Sequence, residues 1–360
     1  MKNRPVSKAQ VWVLAVAIAF IGIGAFLVPH VAATRYERGS DGANLIEEVA
    51  KRIQEPAKLD TELYDKKMFA LAHISEASST ATTTKPGLWP VTDAPYPKVG
   101  ALLPFKRIVA YYGNFYSTKM GILGEYDKGT VIAKLKSEKA AWEAADPTTP
   151  VVMGIDYIAV TAQGSAQADG TYKLRMPDEH IQRAIDMANE IDGIVILEIQ
   201  IGLSTFQKEI PLLEKYLSLP NVHLAIDPEF SMKTGDVPGD VIGSVNAADV
   251  NYAADYLANL VKTHDLPPKI LVIHRFTHNM VTGVSAMKPL PEVQMVMVMD
   301  GWGFGAKKIN TYNSIIKPEP VQFTGFKLFY KNDMKPPSTR MLTPSEILEL
   351  TPSPSFIQYQ

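Results

Sequence analysis

Gly-Ile-Val-Ile-Leu-Glu-Ile-Gln-Ile at residues 193–201 and Val-His-Leu-Ala-Ile-Asp-Pro-Glu at residues 222–229 decide the fold. Each is a nearly continuous apolar run that ends in acids or amides, and the run between them, 205–217, has the apolar spacing of a helix. A strand apolar on both faces, followed by a helix and another such strand, belongs to a parallel sheet covered on both sides. The same alternation extends outward in both directions. Strand-like runs occupy 107–113, 150–160, 269–277, 293–300, 321–330 and 355–360, with helical segments at 130–145, 177–191, 246–264 and 307–316 and a short one at 344–350. Eight such strands predict an α/β protein with a (β/α)8 TIM-type barrel over residues 107–360. An open doubly wound sheet is the runner-up. No glycine-rich phosphate fingerprint follows any strand, because the glycines of 301–305 alternate without the required spacing, so no dinucleotide or other cofactor is expected. No helix closes the barrel after 355–360, and the helical spacing within 45–73 can take that place.

Composition narrows the function. The 360 residues contain no cysteine, which excludes disulfides, thiolate metal centres, cysteine nucleophiles and a lipid-accepting cysteine. A net charge of −2 without a basic block argues against nucleic acid as a partner. Residues 11–28 form an uncharged run preceded by Lys2, Arg4 and Lys8. As a helix it would reach about 27 Å, enough to cross the hydrocarbon core, and the leading charges put the rest of the chain outside the cytoplasm. Residues 1–33 are therefore expected to be a signal anchor that tethers the chain to the membrane. The competing reading is a signal peptide cleaved near Ala33. Residues 34–106 follow as a helical stalk or cap, with spacing at 45–53 and 59–73, and a Ser/Thr/Pro-rich linker.

In a barrel of this kind the chemistry lies where the strands finish. The strand ends supply Tyr111, Tyr112 and Asn114, then Asp156, then Glu198 and Gln200, then Asp227 and Glu229. His274, Asp300 with Trp302, Lys327 with Tyr330, and Gln358 follow on the last four. Residues two apart share a strand face, which pairs Glu198 with Gln200, Asp227 with Glu229 and Asp300 with Trp302. Glu229, Asp227, Asp300 and Glu198 are the catalytic candidates, and Tyr111, Tyr112, Asn114, Asp156, Gln200, His274, Trp302, Lys327, Tyr330 and Gln358 the substrate-binding ones. Two carboxylates among Tyr, Trp, Asn and Gln are suited to cutting a glycosidic bond, since one donates a proton and the other stabilises an oxocarbenium-like centre. A polysaccharide or cell-envelope glycan is the expected partner. Two other classes compete: a non-catalytic tethered barrel that binds glycan or protein, and a hydrolase or phosphodiesterase holding one cation with His274, Asp227, Glu229 and Asp300. The first reading expects no metal.

The stretches at 108–114, 224–230, 242–246 and 325–330 resemble those of a group of exported bacterial barrel proteins, many of them lipoproteins; that resemblance covers residues 107–360 and implies the barrel, not a reaction. Asp227-Pro228-Glu229 is also similar to the last three positions of the D-x-x-D-x-D-x-E motif of chitinase-like glycosidases, which implies Glu229 as the acid. Ala225 stands where that motif has an Asp, and strand eight carries Gln in place of an aromatic residue.

Overall fold

Runs rich in Val and Ile form eight strands here because branched side chains pack well on a pleated sheet buried on both faces. In the computed structural model they are β1 (Arg107–Gly113), β2 (Val151–Ala162), β3 (Ile194–Ile199), β4 (Val222–Ile226), β5 (Lys269–Arg275), β6 (Val293–Met299), β7 (Phe323–Leu328) and β8 (Phe356–Tyr359). Neighbours pair in parallel, and β1 pairs with both β2 and β8, so the sheet closes into a barrel. The structure describes residues 58–75, 88–91 and 93–360, all in the compact unit 57–360. The apolar run 11–28 and the helical spacing at 45–53 lie outside the described residues. No helix among those described is long and apolar enough to cross a membrane.

The helices follow their local signals. Among the described residues, the α-helices of five or more residues are α1 (Thr61–Leu71), α2 (Lys128–Ala145), α3 (Asp178–Asn189), α4 (Ala247–His264), α5 (Gly305–Thr311) and α6 (Pro344–Leu348). Asp60 and Asp127 cap α1 and α2, and Asn246 with Asp249 forms a reciprocal capping box at the start of α4. The helix expected over 205–217 is interrupted by a 3-10 turn at Ile210–Leu213, where Pro211 has no N–H to donate. The helix expected over 307–316 loosens into a wider π turn at Tyr312–Ile316.

Two apolar layers result. The outer one lies between strands and helices and includes Val109, Tyr111, Val195, Leu197 and Leu224 with Trp142, Ala184 and Leu257. The inner one fills the N-terminal half of the barrel with Ile108, Ala110, Ile196, Ala225, Val272 and Val298, and Tyr64 and Met68 of α1 join it. Leu103 is fully buried there, and its N–H, like that of Leu102, donates to the Gln294 side chain at 3.1 and 3.0 Å. Helix α1 thus packs as a cap on the end of the barrel away from the polar residues. Each large apolar side chain buried in this floor contributes about 1.5–3 kcal/mol.

Candidate functional site

Strand alternation turns every second side chain inward, and at one level near the C-terminal ends each strand presents a polar group. From β1 to β3 these are Tyr112, Asp156 and Glu198. Asp227 directly follows β4, His274 is on β5, Asp300 directly follows β6, Lys327 is on β7 and Gln358 on β8. All eight are buried. Burying one uncompensated charge costs several kcal/mol, so this ring must satisfy itself.

It does so through charge pairs and shared hydrogen bonds. Both nitrogens of the His274 ring face carboxylates, Nε2 lying 2.9 Å from Glu198 Oε2 and Nδ1 3.0 Å from Asp300 Oδ2. Lys327 Nζ reaches Asp300 at 3.0 Å and sits 3.9 Å from the centre of the Tyr112 ring. The Tyr112 hydroxyl donates to Glu198 at 2.9 Å. Gln200 donates to Asp227 at 3.1 Å, and Gln358 donates to Asp156 at 2.6 Å.

These contacts divide the acids. Asp156 and Asp227 are pushed well up, first by burial and then by the charge of Glu198. Asp300 is as deeply buried, yet Lys327 and His274 outweigh that burial and hold it below the usual carboxylate range. Burial opposes the charge on His274, but Glu198 and Asp300 overcome it and keep the imidazolium. Lys327 is likewise held above its ordinary value against burial by Asp300, Glu198 and Asp227. Glu229 is pushed up to about 7, mainly by burial and next by Asp300.

Above the ring opens a cleft of about 510 Å³. Of the residues singled out in the sequence, Tyr112, Gln200, Asp227, Glu229, Asp300, Trp302 and Lys327 line it. Glu229 gets there by an unexpected route. The sequence reading carried a strand through residue 229, with Asp227 and Glu229 on one face. β4 instead ends at Ile226, because Pro228 cannot continue the ladder, and a 3-10 turn over Pro228–Phe230 swings Glu229 to the cleft wall. Asp227 fixes that turn by accepting the Glu229 N–H at 3.0 Å. Glu198, Asp156, His274 and Gln358 lie in the ring beneath the cleft.

Three candidates lie elsewhere, which corrects their placement. Tyr111 points outward to the layer beneath α2, where its hydroxyl and that of Tyr330 are 3.0 Å apart, and Tyr330 also meets Glu138. Asn114 is a turn residue, donating to Ile158 O at 3.0 Å and accepting from Tyr116 N–H at 2.8 Å. The cleft in turn has walls that the candidate set did not contain: Lys119, Met120, Phe230, Phe276, Lys307 and Asn332. Most of these sit on loops, where no periodicity marks them.

Asp156, Glu198 and His274 offer ligand atoms within 4.8 Å of one another, a spacing open to a cation among the described residues. A metal would need a neutral imidazole, whereas the carboxylates on both His274 nitrogens favour the protonated ring. The donor set therefore suits a held proton better than an ion.

No protein-family model and no curated protein matches the chain. Among solved structures it is similar to a Bacillus subtilis mannanase, with 12% identity and a TM-score of 0.36 over 72% of this chain and 81% of that one. It is also similar to a ruminal GH26 endo-beta-1,4-mannanase, with 11% identity and a TM-score of 0.34 over 71% and 58%. A tryptophan synthase from M. tuberculosis matches at 11% identity and a TM-score of 0.31 over 71% and 82%.

Proposed function

We propose that the cleft hydrolyses a glycosidic bond, with Glu229 as the proton donor and Asp300 as the fixed negative charge. One observation carries this reading: a single cleft is lined by two carboxyl groups whose surroundings shift them in opposite directions, Glu229 up to about 7 and Asp300 below the usual carboxylate range. Such a pair allows one group to give a proton to the leaving oxygen while the other stabilises the developing positive charge. Asp227 orients the Glu229 turn by accepting the Glu229 N–H. Phe230, Phe276, Trp302 and Phe329 supply apolar surface for sugar faces, while Gln200, Asn332 and Gln360 supply amides for hydroxyls. A cell-envelope or extracellular polysaccharide is the proposed substrate, and the apolar run at 11–28 supports placing the barrel outside the cytoplasm on a membrane tether.

One observation favours a second reading, a barrel that binds glycan without cutting it. Asp300 is paired with two cations at once, which suits a structural carboxylate as well as a catalytic one. A hydrolysis screen of the full chain on envelope and plant polysaccharides, beside Glu229→Gln and Asp300→Asn, separates the two. The glycosidase reading expects release of reducing ends that falls by about 10²- to 10⁴-fold in Glu229→Gln. Equal activity in that variant would remove the acid, and binding without release in the unaltered chain would leave the second reading.

A further inference from the structure

Exposed lysines stand at the rim of the cleft. Its floor carries Asp300 paired with Lys327 and His274, and His274 also meets Glu198, so these buried charges are matched within the ring. Its rim carries Lys119, on the loop after β1, and Lys307, in the first turn of α5; both are exposed, line the cleft and have no carboxylate partner among the described residues. Lys307 and Lys335 extend across the Trp302 indole, their ammonium groups 5.0 and 5.4 Å from its centre, so the half-exposed ring holds cations beside the opening. Glu125, which lines a neighbouring groove with Lys119, is paired with Lys331, and Asp333 is paired with Lys308, while Glu229 shares the cleft wall with the two rim lysines. A chain of net charge −2 thus places two exposed ammonium groups at the opening of its cleft. Low-dielectric walls focus such a field and raise the local concentration of anions.

We infer that the polysaccharide accepted here is anionic, built from sugars bearing carboxylate or sulfate groups that meet Lys119 and Lys307. This rests on the glycan reading of the cleft and gives it a substrate class. Lysine presents a compact point charge that places little demand on the geometry of the anion, so the shared chemistry is the fixed negative charge itself.

The test is binding of the full chain, carrying Glu229→Gln to prevent turnover, to polygalacturonate and hyaluronan as carboxylate probes and dextran sulfate as the sulfate probe. Mannan and xylan are the neutral controls. The expected result is tighter binding of at least one acidic probe than of either neutral one, weakening with added salt, and the preferred probe shows which anion is used. Lys119→Gln and Lys307→Gln should each lower that affinity by roughly threefold and flatten the salt dependence, whereas Lys136→Gln on the exposed face of α2 should not. Neutral probes bound as well as acidic ones, or acidic binding unchanged in the double lysine variant, would overturn the inference. Hydrolysis of mannan or xylan that needs Glu229 would also overturn it while keeping the glycosidase reading. Lysine-dependent binding of an acidic probe that the unaltered chain never cleaves would do the reverse.

Discussion

Asp156 and Asp300 occupy the same polar ring and are shifted in opposite directions because of what each one touches. Asp300 meets two cations, whereas the nearest group to Asp156 is the neutral amide of Gln358. A carboxyl whose pKa is higher folded than unfolded keeps a proton that the unfolded chain releases. Its contribution is complete below its ordinary value of 3.8 and is lost as pH rises toward the folded value. Asp156→Asn keeps the shape and removes this loss, so the variant is expected to be the more stable chain at pH 7, by an amount that shrinks toward pH 4. Denaturant titrations at the two pH values check it, and an equal effect at both would contradict the assignment. Lys327→Met does the opposite, since it leaves Asp300 with His274 alone. Breaking a buried pair in this way costs about 3–5 kcal/mol, readable as a lowered unfolding midpoint.

Alternation within a strand made much of the site legible before its geometry was known. The inward polar groups stand at strand ends, where a charge in an apolar run has to be explained, and all eight members of the ring were visible on that basis. The phase of the alternation was less legible. Tyr111 and Tyr112 are adjacent and chemically alike, and only pairing with β2 and β8 sets which one faces the ring. Loop residues such as Lys119 carry no period, and their position depends on backbone fit. Gly121 shows how strict that fit is, because with φ +127° a Cβ added there would lie 2.4 Å from the Tyr112 carbonyl. The loop bearing Lys119 and Met120 can close on the end of β1 only without that atom. Gly121→Ala is expected to cost about 1–3 kcal/mol and to lower cleavage with the same substrate preference, as checked by thermal unfolding beside a glycan assay.

Across the whole molecule, polar chemistry gathers at one end of the barrel and packing at the other. The sequence reading began the barrel at residue 107 and left residues before it as stalk or cap. In the structure Tyr64 and Met68 are part of the inner core, and Ser353 N–H donates to Leu71 O at 2.7 Å. The signal for this was weak, because α1 has only a faint apolar stripe and its partners lie far along the chain. A chain beginning at residue 57 keeps both Tyr64 and Met68. One beginning at residue 86 loses both buried side chains and should unfold markedly earlier, since removing even one such side chain costs about 2–5 kcal/mol. The central claim, that Glu229 gives a proton to a leaving sugar, is tested most directly by the pH dependence of kcat/KM for glycan cleavage. An acid that must be protonated loses activity as pH rises through its pKa, so the unaltered chain is expected to show an alkaline limb near pH 7 that is absent from the residual activity of Glu229→Gln. The same alkaline limb in Glu229→Gln would contradict the account.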